Sequence, residues 1–249
     1  MTDSWIFPDW PAPTRVRAAV STRLGPGMSR PPFDRFNLGL HCGDAGEAVT
    51  ANRGALQQAL ALPAAPRWLQ QVHGCTVAEL GPLPGAQAPQ ADAAVSHLPG
   101  TVLAILTADC LPVLFCHADG SEIGAAHAGW RGLAAGVLEA TLEQLRAPRG
   151  QVLAWLGPCI GAASYEVGEE VRAAFVDRAS EAARCFTGSR AGHWYCDLAA
   201  LARQRLQAAG VRQIHGGGFD TFSDARFYSY RRDGAGSGRF ASLIWLADG

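Results

Sequence analysis

Apolar and polar positions along this chain follow two rhythms. Short, nearly continuous apolar runs read as buried strands: Val16–Ser21, Arg67–Val72, Thr76–Leu80, Val102–Thr107, Val113–His117, Glu122–His127, Val152–Leu156, Val211–Gly216 and Phe240–Trp245. Between them, apolar residues recur every three to four positions, the spacing of one-faced helices. The clearest such stretch runs from Leu133 to Leu145, with apolar residues at positions 133, 137, 138, 142 and 145. Others span Ala48 to Leu62, Val167 to Ala183 and Leu198 to Ala209. Pro63 and Pro66 stop the first of these. Ser29 to Asp44 is a Gly/Pro-rich loop, and Pro82 to Pro89 is a surface excursion too short for a domain linker. Strands and helices interleave without an internal repeat. This order predicts one α/β unit, a mixed sheet covered by helices.

Composition narrows the function classes. A chain of 249 residues that is 48% apolar can bury a sizeable core. The 21 basic residues nearly balance 22 acidic ones, leaving a net charge of -1 and no electrostatic footprint for nucleic acid or an anionic membrane. No 18-residue apolar stretch occurs, and the N-terminal Met1-Thr2-Asp3-Ser4-Trp5 lacks the basic and apolar regions of a secretory signal. Every basic residue is Arg, so a lysine nucleophile or Schiff base is excluded. Seven cysteines (Cys42, Cys75, Cys110, Cys116, Cys159, Cys185, Cys196) form an odd set without a CxxC pair. That pattern suits a reducing cytoplasm, with thiols buried, catalytic or metal-bound. Closed structural zinc sites are built on CxxC knuckles, so a bound metal here is expected to be catalytic.

Three segments carry candidate chemistry: Gln71-Val72-His73-Gly74, Thr107-Ala108-Asp109-Cys110-Leu111-Pro112 and Ala126-His127-Ala128-Gly129-Trp130-Arg131-Gly132. Two imidazoles and one thiol make a three-ligand set, the count of a catalytic zinc site with its fourth position open. Each residue also has an ordinary reading. His73 suits a satisfied polar residue at a turn, and Cys110 a small buried hydrophobe. His127 ends a run of small residues where backbones approach closely. Strands 102–107 and 122–127, taken as successive, place Cys110 and His127 at one sheet rim.

These motifs resemble those of the YfiH-like, laccase-domain family. The similarity continues in Ser21-Thr22-Arg23, Phe36-Asn37-Leu38-Gly39, Asn52-Arg53, Gly157-Pro158-Cys159-Ile160-Gly161, Tyr165-Glu166-Val167-Gly168 and Phe227-Tyr228-Ser229-Tyr230-Arg231-Arg232-Asp233, covering nearly the whole chain. One departure is Asp220-Thr221, where the family often has Cys-Thr. The resemblance implies an α+β fold, a three-layer α/β/α sandwich around a mixed sheet, as one catalytic domain over residues 1–249. It implies a zinc-dependent purine nucleoside phosphorylase that splits adenosine or inosine with phosphate into base and ribose 1-phosphate. Adenosine deaminase and methylthioadenosine phosphorylase activities are implied as well, and relatives are linked to peptidoglycan editing. The older family label is a copper polyphenol oxidase.

Residue chemistry tests these labels. A multicopper array is built largely on His-x-His pairs, and none of the seven histidines here forms one. Oxidase activity would need copper at the His/His/Cys site, where Cu(II) outcompetes Zn(II) by affinity. Deamination would need a site distinct from the His-x-Glu with Pro-Cys-x-x-Cys signature, which is absent. For auxiliary roles, Asp109 is a candidate acid/base or a turn-fixing residue. Asn37 is a candidate for ribose or base recognition, against capping a turn, and Arg23 and Arg53 are candidate phosphate clamps, against merely solvated arginines. Arg131 reads as a structural ion-pair or stacking residue, Cys159 as core, and Arg231 and Arg232 as ion-pair partners. The competing class is a metal-free cysteine hydrolase or amidase with Cys110 as nucleophile, His127 as base and His73 or Asp109 as orienter. A metal-storage or interaction protein is a third reading, disfavoured by the open ligand set. The expected partners are a purine nucleoside and phosphate, with no nucleic acid or membrane, in a monomer or weak homodimer.

Overall fold

The computed structural model describes residues 3–83, 85 and 87–247. Met1 and Thr2 of the N-terminal stretch, and Pro84 and Ala86 of the Pro82–Pro89 excursion, lie outside the described residues.

Two stacked sheets form the centre. One has the order β1 (Trp5–Ile6), β2 (Val16–Ser21), β13 (Phe240–Leu246), β5 (Val102–Thr107), all antiparallel. The other has the order β12 (Gln213–Gly216), β8 (Val152–Leu156), β6 (Leu111–His117), β7 (Ile123–Ala128), β4 (Ala93–Ser96), β3 (Val77–Glu79). Its outer pairs are parallel and its inner pairs antiparallel, so it is mixed. Side-chain alternation divides each strand between two cores. In β5, Leu103 and Ile105 face the second sheet, while Val102 and Ala104 face Leu56 of helix α1 (Gly46–Ala59). In β8, Leu153 and Trp155 face the first sheet, while Val152, Ala154 and Leu156 meet the opposite helical layer. That layer comprises α2 (Trp130–Ala135), α3 (Val137–Gln144), α4 (Glu169–Val176) and α5 (Leu198–Ala208). The expected α+β class and helix–sheet–helix order hold, with the β layer made of two sheets. A further small sheet, β10 (Phe186–Gly188), β11 (His193–Cys196), β9 (Glu166–Gly168), borders α4, and α6 (Tyr230–Asp233) follows the last long loop. No helix among the described residues is long and apolar enough to cross a membrane.

Several expected elements differ from the structure. Arg67–Val72 is not a strand: it makes isolated bridges only at Arg67 and Gln70. The Gln71 side-chain amide takes the place of a ladder, donating to Leu106 O at 2.8 Å and accepting from Leu106 N at 2.9 Å. The helix expected from Leu133 to Leu145 is two helices, broken at Gly136, whose φ of 109° leaves the helical region. Val167–Ala183 begins as β9, becomes α4 and ends in a 3-10 segment, Ser180–Cys185. Strands 102–107 and 122–127 lie in different sheets. It is the β6–β7 pair, with Pro112 opposite His127, that brings Cys110 to His127.

Candidate metal centre

One rim of the six-stranded sheet gathers the site. The strands enter β6 just after Cys110, leave β7 just after His127, and enter β4 just after Asp92. Register fixes these ends side by side: Ala93 and Val113 both pair with Ala126. His73 lies on the connection leading into β3, which pairs in parallel with β4. The donor atoms of His73, Cys110 and His127 lie within 4.8 Å of one another, with Cys110 Sγ 3.9 Å from His73 Nε2. The two imidazoles meet edge to face, centroids 4.7 Å apart. No other trio of His, Cys, Asp or Glu donors comes so close among the described residues.

Asp92, fully buried, organises this cluster. Its carboxylate accepts from three successive backbone amides, Val72 at 3.1 Å, His73 at 2.8 Å and Gly74 at 2.7 Å. It also lies 2.8 Å from His127 Nδ1. A carboxylate can only accept there, so Nδ1 carries a proton and Nε2 is the nitrogen a metal would take, displacing any proton it holds. The backbone N–H of His127 donates to Asp92 O at 2.7 Å, locking the two segments together. Burial alone would push the Asp92 carboxyl up, but the hydrogen bonds from His127, Gly74 and Val72 hold it below its ordinary value. The sequence reading missed Asp92. Its signal was a lone charge inside the apolar run Ala91-Asp92-Ala93-Ala94-Val95, which is costly unless paired.

The ligand chemistry fits a metal. Desolvation would raise the Cys110 thiol, but the charge and hydrogen bond of His127, joined by His73, bring it down to about 6. His127, lowered by burial, is raised by the Cys110 thiolate and Asp92 to about 9. A first-row ion bonded at about 2.0–2.3 Å needs the donors slightly closer, a rotamer-scale shift for exposed His73. Backbone shape protects the space: a Cβ on Gly129 would stand 2.9 Å from Cys110 Sγ and 3.1 Å from His73 Cδ2. His73 and Asp109 also hold positive φ, 63° and 86°, conformations that cost about 1–3 kcal/mol each.

The other sequence candidates sit in well-satisfied surroundings. Asp109 turns its carboxylate to Thr221 Oγ1 at 2.7 Å and to the Arg231 backbone N–H at 2.6 Å. Asn37 is fully buried; its Oδ1 accepts from Gly39 N and Arg239 N, and its Nδ2 donates to Gly39 O and Asp44. Arg53 donates twice to Leu38 O and covers Trp68 at 4.0 Å. Arg23 bonds Asp34 and lies over Tyr228. The structure thus unites the three expected ligands, while Asn37, Arg23 and Arg53 engage the N-terminal loop and its neighbours. Cys159 is buried core, Arg131 stacks on Trp130 at 4.5 Å, and Arg232 pairs with Asp233. Asp220, the departure from the family pattern, accepts from Gly161 N, Ser164 Oγ, Phe222 N and Ser223 Oγ, tying two loops together.

A mixed α/β fold with a His/Cys/His cluster able to hold a metal defines the class of protein. The chain belongs to the family described as multi-copper polyphenol oxidoreductase laccase, whose model matches residues 17–247. It is 54% identical over 248 residues to a Pseudomonas aeruginosa protein named purine nucleoside phosphorylase, covering 99% of this chain and 100% of that one. It is 50% identical over 242 residues to purine nucleoside phosphorylase YfiH of Escherichia coli, covering 97% and 98%. Among solved structures, a Neisseria meningitidis protein superposes with a TM-score of 0.92 at 43% identity, covering 98% of this chain and 100% of that one. YlmD of Geobacillus stearothermophilus gives 0.83 at 30% identity, covering 94% and 93%.

Proposed function

We propose that this chain is a zinc-dependent purine nucleoside phosphorylase, converting adenosine or inosine and phosphate to free base and ribose 1-phosphate. The observation that carries the reading is the three-donor cluster at the sheet rim, in a chain whose full-length relatives are named for that reaction. His73, Cys110 and His127 would hold the ion. A His2Cys set suits zinc, and three protein ligands leave one position open. Zinc held there would supply Lewis-acid polarisation. Asp92 holds the His127 tautomer and the His73 turn. Asp109, through Thr221 and the Arg231 amide, fixes the turn that presents Cys110, which favours its positioning role over acid/base work. Adenosine deamination and methylthioadenosine cleavage belong to the same proposal, as does a cytoplasmic location, which the seven free cysteines support. The multicopper label finds no support in seven dispersed histidines and a single donor trio among the described residues.

The test is product analysis with and without phosphate. Ribose 1-phosphate equal to base released, and suppressed by a chelator, is the expected result. Equal base release without phosphate would mean hydrolysis, and no turnover of any purine nucleoside would reject the reading.

One observation favours the cysteine-hydrolase alternative. Cys110, His127 and Asp92 form a chain of nucleophile, base and orienter, with the thiol lowered to about 6. Here Asp92 takes the orienting place expected of His73 or Asp109.

A further inference from the structure

Beside the cluster lies a cleft of about 370 Å³, bounded by Trp130, Arg131, Tyr165–Gly168, Glu170, Arg190, His193 and Arg231 among others. Two chain connections place it against the candidate centre. Trp130 follows Gly129, whose backbone abuts Cys110 and His73. Arg231 donates its backbone N–H to Asp109, the neighbour of Cys110. Tyr165 reports the same proximity: burial pushes its phenol up, and the charges of Cys196, Cys110 and Asp109 add to that against Arg231.

The cleft's cations are unequal. Arg190 is neutralised by Glu166, at 3.2 Å. Arg231 lies over Tyr165, with one terminal amine on Glu166 O at 2.9 Å and its other side-chain donors bonded to no described residue. Arg131 stacks on Trp130 and donates no side-chain hydrogen bond to any described residue. His193 donates Nδ1 to Ala191 O at 3.1 Å, leaving Nε2 without a partner among the described residues. Two guanidinium groups held against aromatic rings, with free donors, suit a small tetrahedral oxyanion. Glu170, which accepts no hydrogen bond from a described residue, suits the one proton of hydrogen phosphate, a donor that sulfate lacks. Arg23 and Arg53 are less available, since Asp34 and Leu38 O already occupy their donors.

We propose that this cleft is the phosphate subsite, in which Arg131 and Arg231 bind the attacking oxyanion and Glu170 selects phosphate over sulfate. The assignment rests on the phosphorylase reading for its role, although anion binding stands independently of it. An oxygen of hydrogen phosphate bonds to the ribosyl C1 as the C1–N bond to the base breaks; the bond electrons leave with the base, which takes up the proton that hydrogen phosphate gives up on becoming the ester.

The test pairs binding with kinetics on the metal-loaded protein, using inorganic phosphate as the probe. Calorimetry or phosphorus NMR should show phosphate binding about tenfold weaker in Arg131→Gln and Arg231→Gln. Arg146→Gln, which removes the same charge outside the cleft beside Glu79, should bind as wild type. Glu170→Gln should lose preference for phosphate over sulfate. In turnover, the KM for phosphate should rise about tenfold while that for nucleoside holds. Undiminished phosphate binding in both arginine variants, or none in wild type, overturns the subsite. Phosphorolysis with an unaltered phosphate KM overturns it and leaves the phosphorylase reading intact. Arginine-dependent phosphate binding without nucleoside turnover rejects that reading and retains the anion site.

Discussion

Asp92 Oδ1 lies 2.8 Å from both His127 Nδ1 and the backbone nitrogen of His73, so one buried carboxylate orients two candidate ligands from separate segments. Asp92→Asn keeps the shape but turns an amide donor toward donors. Metal affinity should fall roughly 10- to 100-fold, the usual cost of losing a ligand's outer partner. Competition with a chromogenic chelator measures it. Asp92→Ala, which leaves buried His127 and three amides without their acceptor, should cost about 3–5 kcal/mol in urea unfolding of metal-free protein. An unchanged affinity in both variants would show that Asp92 does not orient the ligands.

Gly129→Ala tests the space between the ligands. Its Cβ would meet Cys110 Sγ at 2.9 Å, closer than such contacts ordinarily come. Metal content by elemental analysis should drop well below one per chain while the protein remains folded by circular dichroism. Full occupancy would mean that the cluster does not close in this direction.

Thiol reactivity separates metal ligand from nucleophile. In metal-free protein, alkylation of Cys110 should rise with pH around a midpoint near 6, the region to which His127 and His73 lower it. Cys116 and Cys185, pushed by burial to about 12 and about 11, should remain slow. Loading the metal should suppress Cys110 labelling, since a coordinated thiolate has its lone pairs engaged. Rapid labelling in the metal-replete protein, with activity lost in step and insensitive to chelator, would favour the cysteine hydrolase. Mass spectrometry assigns the label.

Asp220 offers a pH test away from the ligands. Burial raises its carboxyl, but Ser164, Gly161, Ser223 and Phe222 outweigh that and leave it below the ordinary 3.8. Its folded value is depressed, so its contribution is present above about pH 4 and disappears as pH falls through the folded value. Asp220→Ala should therefore destabilise by about 1–3 kcal/mol at pH 7 and by progressively less in acid. A pH-independent difference would show that the ionised form is not what the loops recognise.

The sequence revealed much of this arrangement where one physical signal dominated. Val16–Ser21, Val102–Thr107 and Val152–Leu156 match their strands because continuous apolar runs between turns have few other uses. His73, Cys110 and His127 were legible as unusual side chains beside Gly or Pro at strand ends. Long-range partners were not. Arg67–Val72 has a strand's composition, yet its Val72 amide goes to the Asp92 side chain and its ladder is replaced by the Gln71 side chain. The Ala-rich β4 has little β propensity of its own and exists through pairing with β7 and β3. For Asn37 and Arg53 the sequence leaves two uses open, because buried loops need amides and guanidiniums to satisfy backbone carbonyls as much as a ligand does.

Zinc-edge X-ray absorption on the purified protein tests the three-ligand centre most directly. The expected spectrum has one sulfur scatterer at about 2.3 Å and nitrogen or oxygen scatterers at about 2.0 Å. The sulfur shell should vanish in Cys110→Ser, and the imidazole scattering should diminish in His73→Ala. A metal shell without sulfur in wild type, or one left unchanged by Cys110→Ser, would contradict the assignment of His73, Cys110 and His127.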